Sequence, residues 1–421
     1  MQLPLDANLA IWSIALFATS GVIIRPWRLP EAVWAIVGAA ALVGLGLFPY
    51  RDALQAVAKG TDVYLFLIGM MLVAELARRE GLFDWMAAHA ARAARGSAKR
   101  LFALIYGVGI IVTVLLSNDA TAVVLTPAVY AAAKAARAEP LPYLFICAFI
   151  ANAASFVLPI SNPANLVIFR DQMPPLLEWL GRFTVPSILA IAATYVALLL
   201  TQRHALRREI NRDVEAPGLN TGGRIVAWGI AAMTVALIGA SAFGLKLGLP
   251  TFLAGAATAI VVLVRKGEAP WAALKDISWG VLPLVAGLFV LVEAVETTGL
   301  LRALTEGLQQ AASHSVKETA WGAGLVVAFA SNVMNNLPVG LLAGSAVNAA
   351  QVPQAVSSAI LIGVDLGPNL SVTGSLATIL WLVALRREGV EVSAWRFLKL
   401  GMIIMPPALI LALAALVSMS P

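Results

Sequence analysis

The chain has 421 residues, of which 60% are hydrophobic and 12% charged, and its mean hydropathy is +0.86. That balance excludes a soluble globular domain and describes a multispanning membrane protein, apolar because lipid surrounds it. The net charge of +6 is scattered through short loops, which excludes a nucleic-acid partner, and the single cysteine, Cys147, excludes a disulfide framework or a multi-thiolate metal site within one chain. No fixed metal ligand and no cofactor is expected.

A membrane-crossing helix needs roughly 20 mostly apolar residues. In chain order, such spans are predicted near 8–24, 30–48, 62–78, 142–158, 183–201, 225–243, 249–264, 278–295, 355–385 and 398–418. The first has no charged segment before it and reads as a membrane helix rather than a cleavable signal. Residues 101–134 are interrupted by "SNDAT" and residues 320–348 by "SNVMNNLP". Two further spans are broken, at "PISNPAN" (159–165) and "DLGPNLSVTGS" (365–375). Non-helical backbone at membrane depth persists only where protein or a water-filled cavity satisfies it. The four polar breaks therefore point inward, towards a site.

The breaks are paired. "GMMLVAELARREG" (69–81) aligns with "GLFVLVEAVETTG" (287–299), so that Gly69, Glu75 and Gly81 fall on Gly287, Glu293 and Gly299 at an offset of 218. "SN" at 117–118 recurs at 331–332, and "SNPANLVIF" (161–169) faces "GSLATILWL" (374–382). The chain reads as two similar halves, 1–202 and 225–421, joined by a polar, basic linker at 203–224. If 101–134 and 320–348 are re-entrant hairpins, each half crosses five times and the second half is inverted. Placing the N-terminus outside puts 22 of the 29 lysines and arginines on the cytoplasmic side. The expectation is an all-α membrane protein with two inverted repeats, ten crossings, broken helices at 142–170 and 355–385, a cytoplasmic linker, and both termini periplasmic.

Inverted repeats with broken helices point to a secondary transporter whose site lies near the midplane. Each break also carries helix-start chemistry. Ser117, Asn118 or Asp119 can cap the returning arm of the first hairpin. Asn162 can cap a helix with Pro163 at its first position, and Ser375 can do the same in the last break. Asn332, Asn335 and Asn336 cluster at the second hairpin. Together with Asn165 and Asn369, these amides and hydroxyls form a candidate substrate site with both donors and acceptors. Asp119 and Asp365 are acids at membrane depth and are the candidate proton carriers. Glu75 and Glu293 lie near span ends and suit a scaffold. His89, His204 and His314 fall in polar segments.

"SNDATAVVLTP", "IANAASFVLPISNPAN", "SNVMNNLPVG" and "DLGPNLSVTGSLATILWL" together resemble the ArsB-type arsenite and antimonite efflux transporters of the ion transporter superfamily. The resemblance runs over nearly the whole chain. It implies a proton-coupled exporter of arsenite and antimonite in a bacterial inner membrane, with the lipid bilayer as its surroundings. Some members pair with a cytosolic ATPase subunit, and association into an oligomer is open. Family members can carry an acid where this chain has Asn152, which leaves Asp119 and Asp365 for the proton.

The chemistry agrees with that implication. Arsenite at neutral pH is an uncharged trihydroxide, which calls for hydrogen-bonding groups and no fixed countercharge. Burial and a helix N-terminus pull on the proton of Asp119 in opposite senses, which suits a group that loads and releases it. Silicic acid, another neutral hydroxide, meets the same requirements. A cation-coupled carboxylate carrier of the same superfamily would want a threonine after each "SN", where this chain has Asp119 and Val333. A channel would lack strict coupling. An enzyme is disfavoured by the absence of H-E-x-x-H and G-x-S-x-G.

Overall fold

The first helix, α1 (Leu5–Ile24), is apolar on all sides, as a lipid-exposed span must be. It leads into α2 (Glu31–Gly44), α3 (Tyr50–Lys59) and α4 (Thr61–Arg79). Gly60 separates α3 from α4, and the two meet at 47°. After α5 (Leu82–Ala93) come α6 (Ala98–Leu115), α7 (Thr126–Ala135), α8 (Pro140–Ala153), α9 (Pro163–Phe169) and α10 (Leu176–Thr201). The second part contains α11 (Thr221–Ala242), α12 (Gly248–Lys266), α13 (Val281–Val295), α14 (Leu301–His314) and α15 (Val316–Met334). It closes with α16 (Asn336–Ala350), α17 (Gln354–Leu366), α18 (Leu376–Arg387) and α19 (Ala394–Met419).

The computed structural model describes residues 5–169, 172–269, 271 and 274–419. The outer end of the predicted broken helix 142–170 and the last two residues of the second half lie outside the described residues.

The protein is all-α. Among the described residues, seven helices are long and apolar enough to cross a membrane, and up to eight if the bent pair α3–α4 forms one span. This is fewer than the ten predicted, for reasons visible in the sequence. Residues 30–48 hold a helix of only 14 residues, because the chain leaves the helix at Leu45 and Gly46 takes a left-handed conformation, φ 71°. The span predicted at 142–158 stops at Ala153, and that at 355–385 is two helices separated by "GPNLSVTGS". Conversely, α6, predicted as a hairpin arm, is itself long enough to cross.

Packing sorts the helices into a central bundle and two flanking sets. In the bundle α15 lies along α17, α10 along α19, and α6 along α8, while α9 packs on α16. One flanking set joins α1, α2 and α3 to α13; the other joins α4 to α11 and α12. Each set thus takes helices from both parts of the chain. Gly69 and Gly287 make the two exchanges close: α4 lies against the backbone of Thr251 at Gly69, and α13 against the backbone of Ala35 at Gly287. Tyr64 of α4 and Phe289 of α13, with ring centroids 6.2 Å apart, join the two sets, while the Lys59–Glu293 ion pair ties α3 to α13 within one of them. The arms α5 and α14 run from the flanking sets onto the bundle.

The linker is a strap, not a loose tether. Ile210 N–H donates to Gly96 O at 3.1 Å and Asn211 N–H to Ala136 O at 2.7 Å. Leu206, Ile210 and Val214 of the strap are themselves buried.

Candidate functional site

The first break follows α6. Thr113 and Thr121 are eight residues apart, about 12 Å along a straight helix, yet their hydroxyls stand 2.8 Å from one another. The chain therefore turns back between them. Ser117 Oγ caps the return by accepting from Ala120 N–H at 3.1 Å, and Asn118 Oδ1 accepts from Asp119 N–H at 2.9 Å. The returning arm opens with a wide π-helical turn, Ala120–Leu125, a departure that recurs at functional sites.

The second break, residues 154–162, leaves carbonyls without α-helical partners. Asn165 Nδ2 reaches Ser155 O, Leu158 O and Pro159 O at 2.9–3.3 Å. Trp179 Nε1 donates to Phe156 O and Val157 O at 3.2 Å each. Two side chains thus reach five consecutive carbonyls, and Leu158 O also accepts from Ser161 N–H at 3.1 Å. Asn162 then caps α9, its Oδ1 accepting from Ala164 N–H at 3.0 Å.

The third and fourth breaks are tied into one another. Asn335, at φ 73°, caps α16 by accepting from Leu337 N–H at 3.3 Å, and its Nδ2 donates to Thr373 O. Asn336 N–H donates to Gly374 O at 2.8 Å. Asn332 Nδ2 donates to Gly367 O at 2.9 Å, while its Oδ1 accepts from Ser371 Oγ. Ser375 Oγ caps α18 by accepting from Thr378 N–H at 3.1 Å. Asn369 is fully buried; it donates to Phe149 O and accepts from Asn152 Nδ2.

These four breaks enclose a small inner cavity of about 40 Å³. Its polar wall is Asn118, Asp119, Asn162, Asn336 and Ser375, with the first residues of α9, α16 and α18 beside them. Val63 and Leu67 of α4 and Val281 and Val285 of α13 form the apolar wall. The cavity thus lies on the seam between the bundle and the flanking sets. Helix N-termini supply unpaired N–H donors and partial positive charge. Among the described residues, Asp119 is the one ionisable group in this lining, and no cation stands in it.

A second cavity of about 920 Å³ leads from Asp119, Ser117 and Pro163 to a mouth at Arg78, Lys275, Asp276 and Arg387, all exposed. Its described lining carries five carboxylates (Glu75, Asp84, Asp119, Asp276 and Glu388) against three cations. Glu75 is engaged by Arg78 at 2.6 Å, as a scaffold acid would be. Burial pushes the Asp84 carboxyl up from its ordinary range, with the Arg78 guanidinium opposing. Asp119 lines both cavities.

Of the residues expected to bind substrate, the structure brings Asn118, Asn162, Asn336 and Ser375 to the inner cavity and Ser117 to the larger one. Asn165, Asn332, Asn335 and Asn369 stand behind it as braces of the breaks. Asp365 is fully buried and lines neither cavity. The sequence assigns no role to Thr121 of the first break and does not point to Thr113 or Trp179. Trp179 lies 17 residues beyond Asn162 with no motif around it, so nothing in the sequence pointed to it.

An apolar helical bundle with broken helices meeting at an internal polar cavity is a membrane transporter. The profile of the citrate transporter family matches residues 14–364, and the chain belongs to that family. It is 29% identical over 367 residues to the arsenical pump membrane protein of Escherichia coli (strain K12), covering 83% of this chain and 84% of that one. The arsenical pump membrane protein of Yersinia enterocolitica is also 29% identical, over 369 residues and the same shares. An uncharacterized transporter of Mycobacterium tuberculosis (strain ATCC 25618 / H37Rv) is 25% identical over 421 residues, 97% of each chain. The crystal structure of the Alcanivorax borkumensis YdaH transporter, described as having an unusual topology, shares the fold at a TM-score of 0.56. It is 15% identical and is matched over 92% of this chain and 97% of that one.

Proposed function

We propose that this chain exports trivalent arsenic and antimony hydroxides from the bacterial cytoplasm in exchange for protons. The observation that carries this reading is the inner cavity. Four capped breaks and a set of amides and a hydroxyl offer donors and acceptors, with one carboxylate and no cation among the described lining. A polycarboxylate would meet Asp119 there without a countercharge, whereas an uncharged trihydroxide would not. The relatives named as arsenical pumps support the same cargo.

Asn118, Asn162, Asn336 and Ser375 hold the hydroxide, and Asp119 carries the proton. Asp119 faces the inner cavity on one side and the large cavity on the other. The two halves act as inverted repeats. Alternating access follows when the bundle with its four breaks moves against the flanking sets, so that the seam opens at the opposite face. The mouth at Arg78, Lys275 and Arg387 is then the cytoplasmic one, consistent with the cytoplasmic excess of basic residues.

Uptake into inverted membrane vesicles tests the proposal, with arsenite, antimonite, silicate, succinate and citrate compared with and without an imposed pH gradient. Gradient-driven uptake of arsenite and antimonite is expected. Uptake of citrate or succinate without arsenite would overturn it in favour of a carboxylate carrier.

A further inference from the structure

We infer that Asp365 is a positioning residue: its carboxyl group sets the direction in which the Asn162 amide faces the inner cavity, and it exchanges no proton with water during transport. The inference rests on the proposed site and changes the role of one of its two acids.

An Asn side chain presents oxygen on one edge and nitrogen on the other, and its bonding partners decide which way round it sits. Asn162 has two such partners. Its Nδ2 donates to Asp365 Oδ1 at 2.7 Å, and its Oδ1 accepts from Ala164 N–H at 3.0 Å. Reversing the amide would set oxygen against Asp365 Oδ1, the accepting atom, and nitrogen against an N–H donor, losing both bonds. Asp365 therefore fixes the cap of α9 and, with it, the amide edge turned to the cavity.

Asp365 stands apart from both cavities. It is fully buried, lines neither cavity, and is separated from the inner one by Asn162, an amide that does not ionise. No salt bridge to it is present among the described residues. Beside it lie Ser155, whose hydroxyl donates to Asn152 O at 2.8 Å, and Asn369 one turn on in the same segment, while Asp365 Oδ2 has no hydrogen-bond partner among the described residues. Asn369 in turn is held by Asn152 and Phe149 O. These partners are amides, a hydroxyl and backbone, none of which ionises. Asp119, by contrast, faces both cavities.

The test uses Asp365→Asn, Asp365→Leu, Asn162→Ala and the double variant Asp365→Leu/Asn162→Ala in the full chain. Asparagine at 365 keeps the shape and an acceptor oxygen, so its pH–rate profile should superimpose on the wild type with KM raised about two- to threefold, a weaker acceptor. Leucine removes the acceptor and should raise KM about tenfold with Vmax nearly kept, and the double variant should be no worse than Asn162→Ala alone. A flattened pH profile in Asp365→Asn, or additive effects in the double variant, would overturn the inference.

A substrate-free measurement stands beside these. In infrared titration of purified protein in lipid, wild type and Asp365→Asn should show the same titrating carboxyl bands. A titrating band missing from the variant would overturn the positioning role even if the cargo were another solute. Wild-type vesicles that move no hydroxide would overturn the proposed function and leave the infrared result to decide this one.

Discussion

A β-carbon placed on Gly69 would stand 2.5 Å from the carbonyl carbon of Thr251, so α4 and α12 touch backbone to backbone at that point. Gly287 makes the matching contact on α13, where a β-carbon would stand 2.8 Å from the carbonyl carbon of Ala35. Such contacts let helices associate closely in lipid, where water supplies no hydrophobic drive between them. Gly69→Ala and Gly287→Ala should each destabilise the protein by about 1–3 kcal/mol, because backbone has to move. Gly107→Ala, where a β-carbon would meet nothing within 4 Å, is the control. Thermal unfolding in detergent reads the difference; equal melting temperatures for all three would refute close packing as the reason for these glycines.

Asp119→Asn should remove pH-driven arsenite uptake while leaving the protein folded in the membrane. The motive is that Asp119 is the carboxylate shared by both cavities. Uptake in inverted vesicles is expected to fall to the rate seen without a gradient. Wild-type gradient-driven rates would end the proton-carrying role.

Cys147→Ala should keep most transport. Cys147 is fully buried in α8, its Sγ 3.9 Å from Tyr143 O, and it lines neither cavity. Loss of the sulfur should cost on the order of 1 kcal/mol of stability. If arsenite flux vanished at normal expression, As(III) would be bound through sulfur and the hydrogen-bonding site would be wrong.

Trp179→Phe should destabilise the second break and not the cap of α9. The variant keeps the ring but removes the N–H that serves Phe156 O and Val157 O, at a cost of about 1–3 kcal/mol for carbonyls left without a donor. Asn165 cannot cover them, since its Nδ2 already serves three carbonyls. Hydrogen exchange should rise across 155–160 and stay low at 164–168. Unchanged exchange at the break would show that water or another group satisfies it.

The orientation of the halves can be read by labelling on the Cys147→Ala background. An impermeant maleimide added to whole cells should label Ser313→Cys and spare Thr221→Cys, both exposed positions. Ser420, a natural third probe at the C-terminus, lies outside the described residues. Labelling of position 221 from outside would break the inverted-repeat proposal.

The caps were legible in the sequence because capping is local. Ser117, Asn162 and Ser375 precede their helices at the spacing that lets a side-chain oxygen reach a free N–H, and each does so. The identity of the cavity-facing amides was not legible. Asn332 and Asn336 sit four residues apart in one motif, yet Asn332 turns to Gly367 O and Asn336 to the cavity. Which way each faces is decided by a segment some 35 residues later in the chain. The crosswise exchange of α2 and α4 between flanking sets was equally hidden, since hydropathy carries no record of which helix a span will meet.

The strap at 206–214 is fastened to the turns before α6 and before α8, and so belongs to the bundle. Only residues 215–220 run free of it before α11 begins in a flanking set. Fully drawn out, six residues reach about 20 Å. In the proposed cycle this leash limits how far the start of α11 can travel from the strap. Trimming residues 215–220 should therefore restrict that travel and slow transport in a protein that still folds.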